Sequence, residues 1–186
     1  MIISHDEPIP ATPVQRIFAA EMFAAEKHAA QKRKGAAAEP YINHLIEVAQ
    51  LIASSSEWLD TNLVMAGLLH DTIEDTGTTA EELERGFGND IAGLVVEMTD
   101  DKSLPKEVRK TLQVENAPRM SVRGQVIKLA DKISNLRSLL ASPPTTWSTE
   151  RKHDYIAWAQ EVVGALSAPN PILKAEFERT YAKFTG

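Results

Sequence analysis

Apolar positions recur at three- and four-residue spacing along almost the whole chain, the period of helices packed on one face. Val14, Ile17, Phe18, Met22 and Ala25 mark a first helix, expected to end near Lys34, before Gly35 and Pro40. Ile42, Leu45, Ile46, Ala49 and Ile52 mark a second. A third starts at the capping residues Asp60 and Thr61, carries Leu63, Val64 and Leu68, and runs on to His70 and Asp71. Thr79 and Glu82 have the spacing of a capping box for a short helix stopped by Gly86-Phe87-Gly88. Ile91, Leu94, Val95 and Met98 give the next, and Pro105 opens another that reaches Asn116-Ala117-Pro118. From Ser121 to Leu140, Val122, Val126, Leu129, Ile133, Leu136 and Leu140 define an inner side. After Pro143-Pro144, a helix from Trp147 to Leu166 turns Tyr155, Ala159, Val162, Val163 and Leu166 inward. Asn170-Pro171 caps a last one carrying Leu173, Phe177, Tyr181 and Phe184. No alternating run of useful length suggests a strand. The expectation is an all-α protein: a proline-rich loose tail over residues 1–12, then one helical domain over residues 13–186.

Composition leaves that picture standing and narrows the chemistry. The 186 residues suit one sizeable core, and 43% hydrophobic with 25% charged residues is ordinary for a folded domain. Cysteine is absent, which excludes disulfides, thiolate metal sites and cysteine nucleophiles. The start shows no basic, apolar leader pattern, and the longest apolar run, Val64 to Leu69, is far too short for a bilayer. A soluble, cytoplasmic protein is expected. The net charge of −6 argues against nucleic acid as a partner. It leaves room for a small anion, because Lys27, Lys32, Arg33 and Lys34 form a local basic patch.

The candidate chemistry centres on His70-Asp71 at the end of an apolar helix. His44 on the preceding helix and Asp131 on a later one can complete a mixed nitrogen and oxygen donor set. Such a set suits Mn²⁺, Fe²⁺ or Zn²⁺ better than Ca²⁺ or Mg²⁺. A lone His-Asp pair is more often a surface or cap feature, and spacing alone does not bring the other two residues to it. Asp71, Glu74 and Asp75 stand at i, i+3 and i+4, on one face if the helix continues. Their mutual repulsion would be relieved by a divalent ion, leaving Glu74 and Asp75 free to orient and deprotonate water. A solvated acidic helix end before Thr76-Gly77 is the plainer alternative.

Ordered motifs decide between these readings. Arg33-Lys34, Tyr41-Ile42-Asn43-His44, Leu-Leu-His70-Asp71-Thr-Ile-Glu74-Asp75-Thr, Thr99-Asp100-Asp101-Lys102 and Lys128-Leu-Ala-Asp131-Lys-Ile-Ser-Asn135 follow one another over residues 16–168. Together they resemble the hydrolase domain of RelA/SpoT-type stringent-response enzymes of the HD superfamily. The likeness is strongest to the stand-alone small alarmone hydrolases, a group that includes the metazoan SpoT homologue. The resemblance implies an HD-type helical bundle and Mn²⁺-dependent removal of the 3′-pyrophosphate of guanosine tetra- or pentaphosphate, giving GDP or GTP. It implies that His44, His70, Asp71 and Asp131 hold the ion. Glu74 and Asp75 would position and activate water.

The same resemblance places Arg33, Lys34, Lys102, Asn135, Trp147, Arg151 and Tyr155 at the nucleotide. On spacing alone several have plainer roles. Arg33 and Lys34 would suit a helix C-terminus, Lys102 an open surface, and Trp147 and Tyr155 the core. Trp147, Arg151 and Tyr155 would lie along one stripe of one helix. His28 and His153 are read as structural or surface residues, and His5 as part of the tail. Two departures stand out: Leu45 after His44 where relatives often carry Pro, and Ile133-Ser134 where Leu-Tyr is common. The second is expected to alter packing around base or ribose, and neither to touch the ligands. With no synthetase motif in the chain, hydrolysis without synthesis is expected. Two other readings stay open: an HD phosphohydrolase of NADPH or a deoxynucleotide, and a non-catalytic alarmone-binding sensor.

Overall fold

The computed structural model describes residues 12–55 and 60–185. Its elements are α1 (Pro13–Lys27), α2 (Ile42–Ala53), α3 (Thr61–Leu69), α4 (Thr72–Asp75), α5 (Ala80–Phe87), α6 (Asn89–Met98), α7 (Lys106–Asn116), α8 (Val122–Ala141), α9 (Thr149–Ala165) and α10 (Pro171–Ala182), with a 3₁₀ turn at Ala117–Arg119. Among the described residues there is no strand, only an isolated bridge between Lys32 and Pro40. No helix among them is long and apolar enough to cross a membrane.

Most helix starts are set by a side-chain oxygen that accepts an otherwise unpaired backbone N–H. Asp60 caps α3, Thr79 α5, Ser121 α8, Ser148 α9 and Asn170 α10. Thr12 closes a capping box with Gln15 and so belongs to α1. The rest of the tail expected over residues 1–12 lies outside the described residues.

Two helices organise the core. α3 is apolar on every side, and Leu63 to Leu69 are all buried. α8 buries Val126, Ile127, Leu129, Ala130, Ile133, Leu136 and Leu139. Around them pack α1, α2, α6 and α10, with α9 against α8 and α7 against α9. A helix enclosed this fully must carry its few polar groups as satisfied or functional ones. α8 carries Gln125, Lys128, Asp131, Lys132 and Ser134, all buried.

Several boundaries and faces differ from the sequence expectation. α1 stops at Lys27, not near Lys34, and His28 caps it. The chain then forms a loop closed at its base, with Arg33 N–H donating to Glu39 O at 2.8 Å and Tyr41 N–H to Gln31 O at 3.0 Å. The buried face of α1 is its small one, Ala20 and Ala24, which lets α3 approach closely. Val14, Phe18 and Met22 face outward, 60%, 59% and 45% exposed. Val122, expected inside, is 63% exposed at the first turn of α8. The third helix ends at Leu69, ahead of His70-Asp71. Trp147 precedes α9 and its Ser148 cap.

Candidate metal centre and nucleotide cleft

The centre is built on the break between α3 and α4. His70 keeps helical backbone angles, Asp71 departs from them at φ −100°, ψ −1°, and Thr72 opens a single helical turn. Thr72 Oγ1 donates to Leu69 O at 2.6 Å and holds the junction. The break turns two adjacent side chains towards one point, so that His70 Nε2 lies 3.1 Å from Asp71 Oδ2. His44, from the first turn of α2, places Nε2 3.6 Å from Asp71 Oδ2 and 3.3 Å from Asp131 Oδ1. Asp131, midway along α8, is 3.9 Å from His70 Nε2. His44, His70 and Asp131 are buried and offer donor atoms within 4.8 Å of one another, and Asp71 closes the group through its contacts with both imidazoles.

Hydrogen bonds fix how these groups face inward. His70 Nδ1 sits 2.8 Å from the carbonyl of Gly67, which can only accept, so Nδ1 carries hydrogen. Both Nε2 atoms are buried and make no hydrogen bond. Two such nitrogens beside two carboxylates fit a divalent ion of intermediate hardness. Without one, the charges rearrange. Burial pulls His70 down, but the Asp71 and Asp131 carboxylates override it and raise the imidazole to about 10. Burial would raise Asp71 and Asp131, yet both are held well below the carboxylate range, Asp71 chiefly by His70 and Asp131 chiefly by Lys132. Lys132 donates to Asp131 Oδ2 at 3.0 Å, and Asn135 Nδ2 to Oδ1 at 2.5 Å.

The three neighbouring carboxylates do not crowd as one face. Asp71 turns to the centre, and each of the others has its own cover. Glu74 accepts from Asp100 N–H at 3.1 Å and lies 3.7 Å from Arg109. Burial pushes its carboxyl above the usual range, with the Asp100 amide opposing and the Asp100 and Asp71 carboxylates adding to it. Asp75 accepts from Gln31 Nε2 at 2.8 Å and pairs with Lys102.

A cleft of about 190 Å³ opens beside the centre. Arg33, Lys34, Asp75, Asn135, Trp147 and Tyr155 line it, with Leu139 and Pro144 as an apolar floor. Arg151 is not in that lining; its guanidinium lies over the Trp147 ring, 4.4 Å from the centroid. Tyr155 lies between Trp147 and Trp158 with its ring tilted to both, the centroids 5.5 and 5.4 Å away. Trp158 in turn carries the ammonium of Lys132 at 4.4 Å and that of Lys110 at 5.3 Å. Lys106 is lowered by burial and by Arg151, Lys110 and Lys34 nearby, which marks a basic rim.

Sequence reasoning missed four contributors. Tyr41 donates to Asp71 Oδ2 at 2.7 Å, stacks on buried His28 at 5.2 Å and lies beneath Arg33. Gln31 and Arg109 hold the two acidic side chains, and neither stands in a recognisable motif. Ser134 overturns the expectation that its departure leaves the ligands untouched. It is fully buried and 2.8 Å from His44 Nδ1, not in the cleft. Its neighbour in that comparison, Leu45, is a plain core residue. His153 is exposed, as read.

Helices that deliver paired histidines and aspartates to one buried point define a class, and the chain belongs to it: the HD domain family, whose model matches residues 20–159. A divalent ion is what that family and this donor set imply. Within the family the chain is similar to guanosine-3′,5′-bis(diphosphate) 3′-pyrophosphohydrolase MESH1 of Xenopus tropicalis. The two are 47% identical over 150 residues, 81% of this chain and 84% of the relative. The Homo sapiens MESH1 is 44% identical over the same shares. A solved structure, described as a metazoan ortholog of SpoT that hydrolyses ppGpp, overlays with a TM-score of 0.87 at 40% identity, covering 96% of this chain and 98% of that one. The all-α HD bundle and the RelA/SpoT resemblance read from the motifs are both met.

Proposed function

We propose that this protein hydrolyses guanosine 3′,5′-bis(diphosphate) and its pentaphosphate form, releasing the 3′-pyrophosphate and leaving GDP or GTP, with Mn²⁺ as its ion. The observation that carries the reading is that a basic, aromatic-walled cleft borders the His44–His70–Asp71–Asp131 group, its lining residues Tyr41 and Asn135 hydrogen-bonded to Asp71 and Asp131. The named activity of the MESH1 relatives supports it.

His44, His70, Asp71 and Asp131 would hold a divalent ion, which would supply Lewis acidity to make water more acidic and offset phosphoryl charge. The chain's own residues do the rest. Glu74, with a raised carboxyl, accepts the proton of the attacking water. Asp75, pinned by Gln31 and Lys102, orients that water. The water oxygen bonds to the phosphorus nearest the ribose as the bond from that phosphorus to the ribose 3′ oxygen breaks, and the proton taken up by Glu74 passes to the 3′ oxygen, which leaves as a hydroxyl. Arg33 and Lys34, with Lys102 and Arg151 at the edge, hold the polyanion against its own repulsion. Asn135 ties the cleft to the centre through Asp131, and Trp147 and Tyr155 form the wall against which the nucleotide packs.

The test is purified protein with Mn²⁺ and guanosine tetraphosphate, products resolved by chromatography. GDP and pyrophosphate are expected. Orthophosphate instead, or faster turnover of NADPH or a deoxynucleotide in the same panel, would move the chain to another HD phosphohydrolase activity. Nucleotide bound without turnover would make it a sensor.

A further inference from the structure

Ser134 is one of the buried polar groups on α8 that the mechanism does not use, and its surroundings constrain it tightly. Ser134 Oγ lies 2.6 Å from Glu47 Oε2 and 2.8 Å from His44 Nδ1. Glu47 is itself held by Arg137 at 2.9 Å, and Arg137 reaches Glu176 on α10 at 2.6 Å. A hydroxyl has one hydrogen to give. The carboxylate of Glu47 can only accept, so it takes that hydrogen. Ser134 Oγ is then left to accept, and the donor within reach is His44 Nδ1. The chain Glu47–Ser134–His44 therefore runs in one direction. It puts hydrogen on Nδ1 and leaves the lone pair of Nε2 facing Asp71 and Asp131, where it makes no hydrogen bond.

From this directional chain we infer that Ser134 is a positioning residue for the ion, acting by fixing the tautomer of His44. The inference rests on the metal-centre reading above. Its energetic logic follows from burial. His44 is 2% exposed, so Nδ1–H without an acceptor is costly. In Ser134→Ala the imidazole gains by moving its hydrogen to Nε2, where Asp131 at 3.3 Å accepts it. That hydrogen then occupies the position the ion needs. Glu47→Ala acts one step further out. It frees the Ser134 hydrogen to point at Nδ1, which favours the same unproductive tautomer.

The experiment is a chelator-competition titration of Mn²⁺ into wild type, Ser134→Ala, Ser134→Thr and Glu47→Ala. Nitrogen-detected NMR of the His44 ring follows the tautomer in ion-free samples. Ser134→Ala is expected to bind Mn²⁺ roughly ten- to a hundredfold more weakly, with hydrogen found on Nε2. Ser134→Thr keeps the hydroxyl and should restore affinity, and Glu47→Ala should fall between. Turnover by Ser134→Ala should be low at limiting Mn²⁺ and recover at saturating Mn²⁺, which a general loosening of the fold would not give. If Ser134→Ala does not fold, the Glu47→Ala and Ser134→Thr comparison decides. Unchanged affinity in Ser134→Ala, or in Glu47→Ala when it alone is soluble, overturns the inference while the metal centre stands. A wild-type chain that takes up no Mn²⁺ overturns both.

Discussion

Gly35 sits where the basic loop crosses the end of α8, and substituting it tests whether loop placement governs substrate binding. A Cβ built there would stand 2.7 Å from Ser142 Oγ, 3.0 Å from Ser142 Cβ, and nearer still to the Ser142 carbonyl oxygen. Non-bonded carbon needs about 3.5 Å, so in Gly35→Ala the loop must retreat by roughly 1 Å. The retreat also weakens the 2.8 Å bond from Ala37 N–H to Ser142 Oγ. Overpacking of this kind costs about 1–3 kcal/mol. The displacement reaches function as well as stability, because Arg33, Lys34 and Ser142 line the same cleft. A displacement of that size costs on the order of a hundredfold in kcat/KM when it moves positioning groups. Steady-state hydrolysis of guanosine tetraphosphate at saturating Mn²⁺ should show the loss mainly in KM. Mn²⁺ affinity should be unchanged, since no ligand lies on the loop. A KM within twofold of wild type would refute the argument.

Further outcomes follow from the same geometry. Glu74→Ala should lower kcat by roughly 10²–10⁴ while Mn²⁺ affinity holds, and normal turnover would remove Glu74 from the reaction. Tyr41→Phe deletes the 2.7 Å bond to Asp71 and should cost about 1.5–3 kcal/mol in urea unfolding of the ion-free protein; a change below about 0.5 kcal/mol would show that bond to be immaterial. Ion-free stability should also depend on pH in a defined way. His70 is raised from 6.5 to about 10, so its contribution is whole below 6.5 and is lost as pH climbs towards 10. Asp71 and Asp131 are lowered, so theirs is present above 3.8 and lost as pH falls below it. Urea midpoints of chelated protein should therefore decline between pH 6.5 and 10, and a rise there would contradict the ion-pair account.

Most of the helices were legible because they bury an apolar stripe, and the caps at Asp60, Thr79 and Asn170 stood in plain view. The errors have a common physical origin. Val14, Phe18 and Met22 read as an inner face because they are large, but the close approach of α3 selected Ala20 and Ala24. The stretch from His28 to Lys34 read as the end of the first helix because the loop it belongs to is closed by backbone bonds that no side-chain pattern records. The donor residues were visible through motif order, whereas their convergence depends on the helix break at Asp71. Ser134 and Glu47 were invisible as site residues, since they meet across α8 and α2 far apart in the chain.

The indole of Trp158 lies against the ammonium that neutralises Asp131. That contact makes the ring a native optical probe of the centre. When a cation takes over the carboxylate's charge, Lys132 is released from its strongest partner and the field across the indole changes. Tyr155 and Trp147 continue the same row of tilted aromatic rings into the cleft. Of the two tryptophans among the described residues, Trp158 thus reports ion loading and Trp147 nucleotide arrival. Trp147→Phe separates them, so the order in which the two ligands bind can be read without a label.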